Sequence, residues 1–273
     1  LLRTPFSILS KQIINGANVV YFNDRDPITK ACFNYASRKI LIDEGIGVYY
    51  ASNGLNVIGA DPIPDCAIVG FPEIYKRTHE KFKKVVEFDY YSLFNRANTE
   101  GIFNSVDFLI NGDILFLGQY SPTGEEIREL EIKVITALSV GENSVLVKPH
   151  PRDENRKNYL IDRNIRTVDA RYDSIPVELL LSESKVKMVV SLFSSGCVTI
   201  AKMYPDIQVV FAYRIFERRW NFENLDSFSE CLSNLTIVNS IDELLSIKQL
   251  SGSKKISSQI REINITPFMT ENN

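Results

Sequence analysis

Six short apolar runs limit what this chain can fold into: Asn18–Phe22, Lys39–Ile42, Ile114–Leu117, Val145–Val147, Val186–Val190 and Ile207–Ala212. Their hydrophobicity is continuous rather than alternating, which suits strands covered on both faces. Between the third and fourth runs lies Gly124–Leu138, where Ile127, Leu130, Val134, Ile135 and Leu138 recur at helical spacing. Strand, amphipathic helix and strand in succession read as a β-α-β unit. Cys197–Tyr204, closed by Pro205, reads as a second crossover helix, and Asp242–Lys248 as a third. The alternation predicts an α/β fold of mostly parallel sheets with helices on both faces. The stretch from Lys76 to Asn111 is richer in charge and aromatics and breaks the strand rhythm, which puts a domain junction near residues 100 to 112. With 273 residues there is chain enough for two cores, so 1–110 and 111–273 are expected to form separate domains, with 266–273 as a loose tail.

A net charge of -3 gives no overall electrostatic footprint for nucleic acid, so any anion site has to be built locally. Cys32, Cys66, Cys197 and Cys231 are widely spaced. They read as small buried hydrophobes in a reducing compartment, and without a close pair no zinc site is expected. The apolar stretches are strand-sized, too short to span a bilayer, and no secretory signal is visible. The expected location is cytoplasmic, with peripheral contact at the inner face of the membrane left open. The chain begins Leu1-Leu2-Arg3, and is expected to be part of a longer protein.

Three motifs carry chemistry. In Leu41-Ile-Asp-Glu-Gly-Ile-Gly-Val-Tyr-Tyr50, Asp43 and Glu44 follow a short strand, and Gly45 and Gly47 permit a sharp turn. Adjacent carboxyls raise one another's pKa, which suits a general base. In Val145-Leu-Val-Lys-Pro-His-Pro-Arg152, a strand ends in Lys148, His150, Pro151 and Arg152. Alone, His-Pro is a stiff surface turn, but cations and an imidazole at a strand's carboxyl end can meet a phosphate leaving group. In Ser191-Leu-Phe-Ser-Ser-Gly196, Ser194, Ser195 and Gly196 open the Cys197 helix. The ordinary role of such serines is capping, yet hydroxyls and free N–H groups at a helix N-terminus also form an anion site. Glu178, in the first turn of a helix predicted at Ile175-Pro-Val-Glu-Leu-Leu180, suits either the helix dipole or ribose hydroxyls.

Taken in order, Asp43-Glu44-Gly45, Pro149-His-Pro-Arg152, Phe193-Ser-Ser-Gly196 and Tyr204-Pro-Asp206 resemble the motifs of bacterial sialyltransferases of glycosyltransferase family 52, which includes lipooligosaccharide and capsule enzymes. The resemblance covers about residues 38 to 215. It implies a GT-B-like arrangement of two Rossmann-like domains, the first one truncated here, and metal-independent transfer of sialic acid from CMP-sialic acid to a galactose-type acceptor on a surface glycan. No cofactor is implied. Asp43 would be the base with Glu44 as its partner, although the mixed pair leaves open which carboxyl acts. His150 would assist departure of CMP, and Ser194 and Ser195 would bind its phosphate. Gly118, Gln119, Lys148, Pro151, Arg152, Glu178 and Gly196 would complete the donor pocket. The partners implied are the nucleotide-sugar donor and a glycan acceptor, and a homodimer is left open. Two other readings stand beside this one. One is a CDP-polyol phosphotransferase of the teichoic acid type, and the other a non-catalytic nucleotide- or glycan-binding domain.

Overall fold

The computed structural model describes residues 15–22, 32–33, 35–43, 45–49, 63–79, 82–100, 112–120, 125–141, 144–153, 156–182, 184–216 and 223–253. They form an α/β fold with two all-parallel sheets. In the first, β1 (Asn18–Tyr21), β2 (Arg38–Ile42), β3 (Cys66–Val69) and β4 (Val85–Glu87) lie side by side in chain order. A turn of 3-10 helix at Ile46–Tyr49 follows β2, helix α1 (Pro72–Thr78) links β3 to β4, and α2 (Tyr90–Thr99) follows β4.

The second sheet holds β5 (Ile114–Leu117), β6 (Val145–Lys148), β7 (Met188–Ser191), β8 (Gln208–Phe211) and β9 (Leu235–Ile237), in the order β6-β5-β7-β8-β9. The chain steps from β5 outward to β6, then returns to the other side of β5 to form β7. In a doubly wound sheet that reversal opens a crevice at the strands' carboxyl ends. Every residue of β5, β6 and β7 is buried, as unbroken apolar runs require when helices cover both faces. The helices of this half are α3 (Glu125–Leu138), α4 (Arg156–Ile161), α5 (Val177–Leu180), α6 (Ser195–Met203), α7 (Glu223–Cys231) and α8 (Ile241–Ser253).

The helical spacing in 124–138 is realised in α3, whose Val134, Ile135 and Leu138 are fully buried against Phe116, Val147 and Val190. Lys248 of α8 caps α3 by donating to the carbonyls of Leu138, at 2.7 Å, and Val140. A larger core is shared by the two sheets, running from Tyr21, Leu41 and Val69 to Leu117, Val189 and Phe211. At its centre Phe228 of α7 meets both Tyr49 and Phe71 edge-to-face, each at 5.1 Å between centroids.

The six apolar runs all become strands. Strands β3, β4 and β9 are additional, and β4 falls inside the segment that breaks the sequence rhythm. At three residues each, β4 and β9 are too short to declare a period. The expected junction at 100–112 and the tail at 266–273 lie almost wholly outside the described residues. One expectation is corrected: Cys32, Cys66 and Cys197 are buried, but Cys231, the last residue of α7, is exposed.

Candidate active site

Asp43 stands at the carboxyl end of β2, where its own N–H still pairs with Ile68 O of β3 at 2.9 Å. Its side chain is buried and accepts from four donors. Oδ1 takes the Gly45 N–H at 2.7 Å, and Oδ2 takes the Gly70 N–H at 2.8 Å and the Tyr90 hydroxyl at 2.7 Å. The Tyr49 hydroxyl also donates to Oδ2 and accepts the Phe71 N–H at 2.9 Å. Burial first, then the negative charge of Asp43, pushes both tyrosines far above the usual phenol range, so they remain O–H donors. Glu44 lies outside the described residues.

Gly45 links this turn to the second sheet. Its φ is +118°, and a Cβ there would stand 2.8 Å from Ser195 Cβ and 3.0 Å from Ser195 Oγ. Only glycine lets the acid turn lie this close to the first residue of α6. The structure therefore brings together two motifs about 150 residues apart in sequence.

At the crevice, Gly118 continues the β5–β6 pairing through its N–H to Lys148 O at 3.0 Å. The Gln119 N–H donates to Glu131 Oε1 of α3 at 2.7 Å, and its side-chain amide donates to Ser191 Oγ at 2.8 Å. Ser191 Oγ donates to Leu117 O and accepts the Ser194 N–H at 3.2 Å. Gln119 is thus turned inward as a prop for the serine loop. Ser194 occupies the N-cap of α6, yet its hydroxyl makes no capping bond, and both Ser194 and Ser195 are half-buried at the crevice. A Cβ on Gly196 would lie 3.3 Å from Val177 and 3.6 Å from Leu117, so its smallness seats α6 against α5 and β5.

His150 follows β6, two strands across from the serines, or about 10 Å at the usual strand spacing. Its Nδ1 accepts the Arg152 N–H at 3.2 Å, which leaves the proton on Nε2. Burial, then the charge of Arg152, lowers its pKa, with partial opposition from Asp153, so the ring is neutral at pH 7. Tyr120 stands beside it at 5.5 Å between ring centroids. Pro151 and Arg152 are exposed in the turn. Lys148 is buried, with Nζ donating to Tyr172 O at 3.1 Å and Asp173 O at 2.9 Å. Glu178, buried on α5, is pushed up to about 7 by desolvation, against the pull of its own backbone N–H and of Lys148.

Tyr49, Gly70, Tyr90, Ser191 and Tyr120 are site residues to which the sequence reading assigns no role. Tyr49 sits six residues past Asp43 within the same quoted segment and could have been noticed. Gly70 and Tyr90 are 27 and 47 residues away, and only the fold connects them to Asp43. Among the described residues no group of three or more His, Cys, Asp or Glu could hold a metal ion. No helix among them is long and apolar enough to cross a membrane.

Two parallel sheets whose carboxyl ends bring an acid turn against a serine-led helix define a GT-B-like architecture of Rossmann-like units. A family model described as Alpha-2,8-polysialyltransferase (POLYST) matches residues 17–213, well over half the chain and all three motifs. The chain belongs to this family. It is accordingly a glycosyltransferase of a sialyltransferase family, and the family implies a nucleotide-sugar donor and a glycan acceptor. No curated protein matches the chain.

Proposed function

We propose that this protein transfers sialic acid from CMP-sialic acid to a glycan acceptor by direct displacement, without a divalent metal. In this reading each sheet belongs to its own domain, divided near residue 110, with donor and acceptor meeting between them. The acceptor oxygen bonds to the anomeric carbon of sialic acid as the bond to the CMP phosphate breaks, and Asp43 takes the acceptor proton. Negative charge then grows on the departing phosphate. Ser194, Ser195 and the free N–H groups opening α6 meet that charge, and His150 donates from Nε2. Arg152 adds positive charge from the rim, Gly118 and Gly196 shape the pocket wall, and Glu178 faces the ribose. The observation that carries the reading is the approach of Gly45 to Ser195, since an acid and an anion site are useful only when one substrate can reach both.

The family description favours a sialic acid terminus as acceptor, whereas the family 52 resemblance favours galactose. Both stay within the proposal, as does a bacterial surface glycan, lipooligosaccharide or capsule, as the final product. The test is turnover and thermal stabilisation with CMP-sialic acid in EDTA, offering lactose and a sialylated oligosaccharide in parallel. Release of CMP with either acceptor, lost in Asp43→Asn and His150→Ala while donor binding survives in Asp43→Asn, supports the reading. Stabilisation by CDP-glycerol or UDP-sugars in place of CMP-sialic acid would overturn it.

A further inference from the structure

The bonds around Asp43 extend beyond its first ring of donors. Lys202, near the end of α6, donates from Nζ to Gly70 O and pairs with Glu87 of β4 at 2.6 Å. Gly70 O belongs to the peptide whose N–H, on Phe71, donates to the Tyr49 hydroxyl, and Tyr49 in turn donates to Asp43. A cation bound to the carbonyl of a peptide polarises it and strengthens the bond its N–H makes. The Tyr90 ring lies flush on Gly70, where a Cβ would come within 2.3 Å of the ring edge, so its hydroxyl has one place to go.

We propose that Tyr49, Tyr90 and Lys202 are positioning residues that fix the hydrogen bonding of the Asp43 carboxylate, with Lys202 acting through the Gly70–Phe71 peptide. The proposal rests on the reading of Asp43 as the base. Three of the four donors converge on Oδ2, which fixes the carboxylate, while Oδ1 carries one donor and keeps the capacity to accept another proton. The titratable groups around it are Tyr49 on the 3-10 turn, Tyr90 on α2, Lys202 on α6 with its partner Glu87 on β4, and Glu178 on α5, whose charge reaches Tyr90. The acid turn belongs to the first sheet and Lys202 to a helix of the second, so the base is tuned from across the crevice.

The experiment follows the Asp43 carboxyl by carbon NMR in aspartate-labelled protein, assigned with Asp43→Asn, beside the pH profile of kcat/KM. Removing the Tyr90 bond to the carboxylate in Tyr90→Phe should move both the carboxyl midpoint and the acid limb to higher pH than in the wild type. Lys202→Met should move them the same way by less, and Lys202→Arg, which keeps the charge, should restore the wild-type profile. Unmoved midpoints in Tyr90→Phe and Lys202→Met, with only thermal stability lost, would overturn the proposal. Should Asp43→Asn keep full turnover, the base assignment fails, while the NMR midpoint still decides whether the tyrosines and lysine tune the carboxyl.

Discussion

Replacing Gly45 with alanine attacks the one point where the acid turn meets α6. Two costs add. A φ of +118° is strained for any residue with a Cβ, at about 1–2 kcal/mol. The new methyl would also sit 2.8 Å from Ser195 Cβ, and relieving such overpacking costs about 1–3 kcal/mol. The sum, about 2–5 kcal/mol, should lower the melting temperature by about 5–15 °C. The two costs separate in a double-mutant cycle, because Ser195→Gly removes the atoms the methyl would meet but leaves φ unchanged. Urea unfolding of the four proteins, followed by circular dichroism, should show Gly45→Ala costing about 1–3 kcal/mol less in the Ser195→Gly background. Equal costs in both backgrounds would mean the turn and the helix do not touch, and the argument joining the first and third motifs would collapse.

Two further predictions rest on buried polar groups. Glu178 has its pKa raised from 4.5 to about 7, so the folded state holds a proton that the unfolded chain releases between those values. Its contribution is intact below pH 4.5 and lost as pH rises through 7, on the order of 3 kcal/mol. Glu178→Gln should flatten that fall in urea midpoints between pH 5 and 8, and an unchanged slope would contradict the assignment. Ser191→Ala, at a fully buried position, removes the oxygen that accepts from the Gln119 amide and the Ser194 N–H and should cost about 1–3 kcal/mol in thermal unfolding. It should also raise the donor KM by loosening the serine loop, and a variant as stable as wild type would show the network to be idle.

The sheet that builds the crevice was readable because its strands are unbroken apolar runs, and Gly124–Leu138 announces its helix through five residues on one stripe. The first sheet was half hidden, since Val85–Glu87 is a three-residue strand with two exposed positions. At the site, the acid, the glycine and the paired serines are conspicuous because turns and helix starts demand particular residue types. What surrounds them is not. Lys148 reads as a cation at a strand's end, but nothing in the sequence tells that its ammonium turns toward the carbonyls of Tyr172 and Asp173. Tyr90 looks like any aromatic in a charged stretch, and its bond to Asp43 exists only once β3 and β4 lie side by side.

Helix α6 works as a ruler. It is nine residues long, with Ser195 set against Gly45 at one end and Lys202 fastened to Gly70 and Glu87 at the other. One residue more or fewer would shift the far end by about 1.5 Å and swing it by about 100°, so that one of the two ends must lose its place. The spacing from the paired serines to that lysine is thus set by contacts at both ends of one helix.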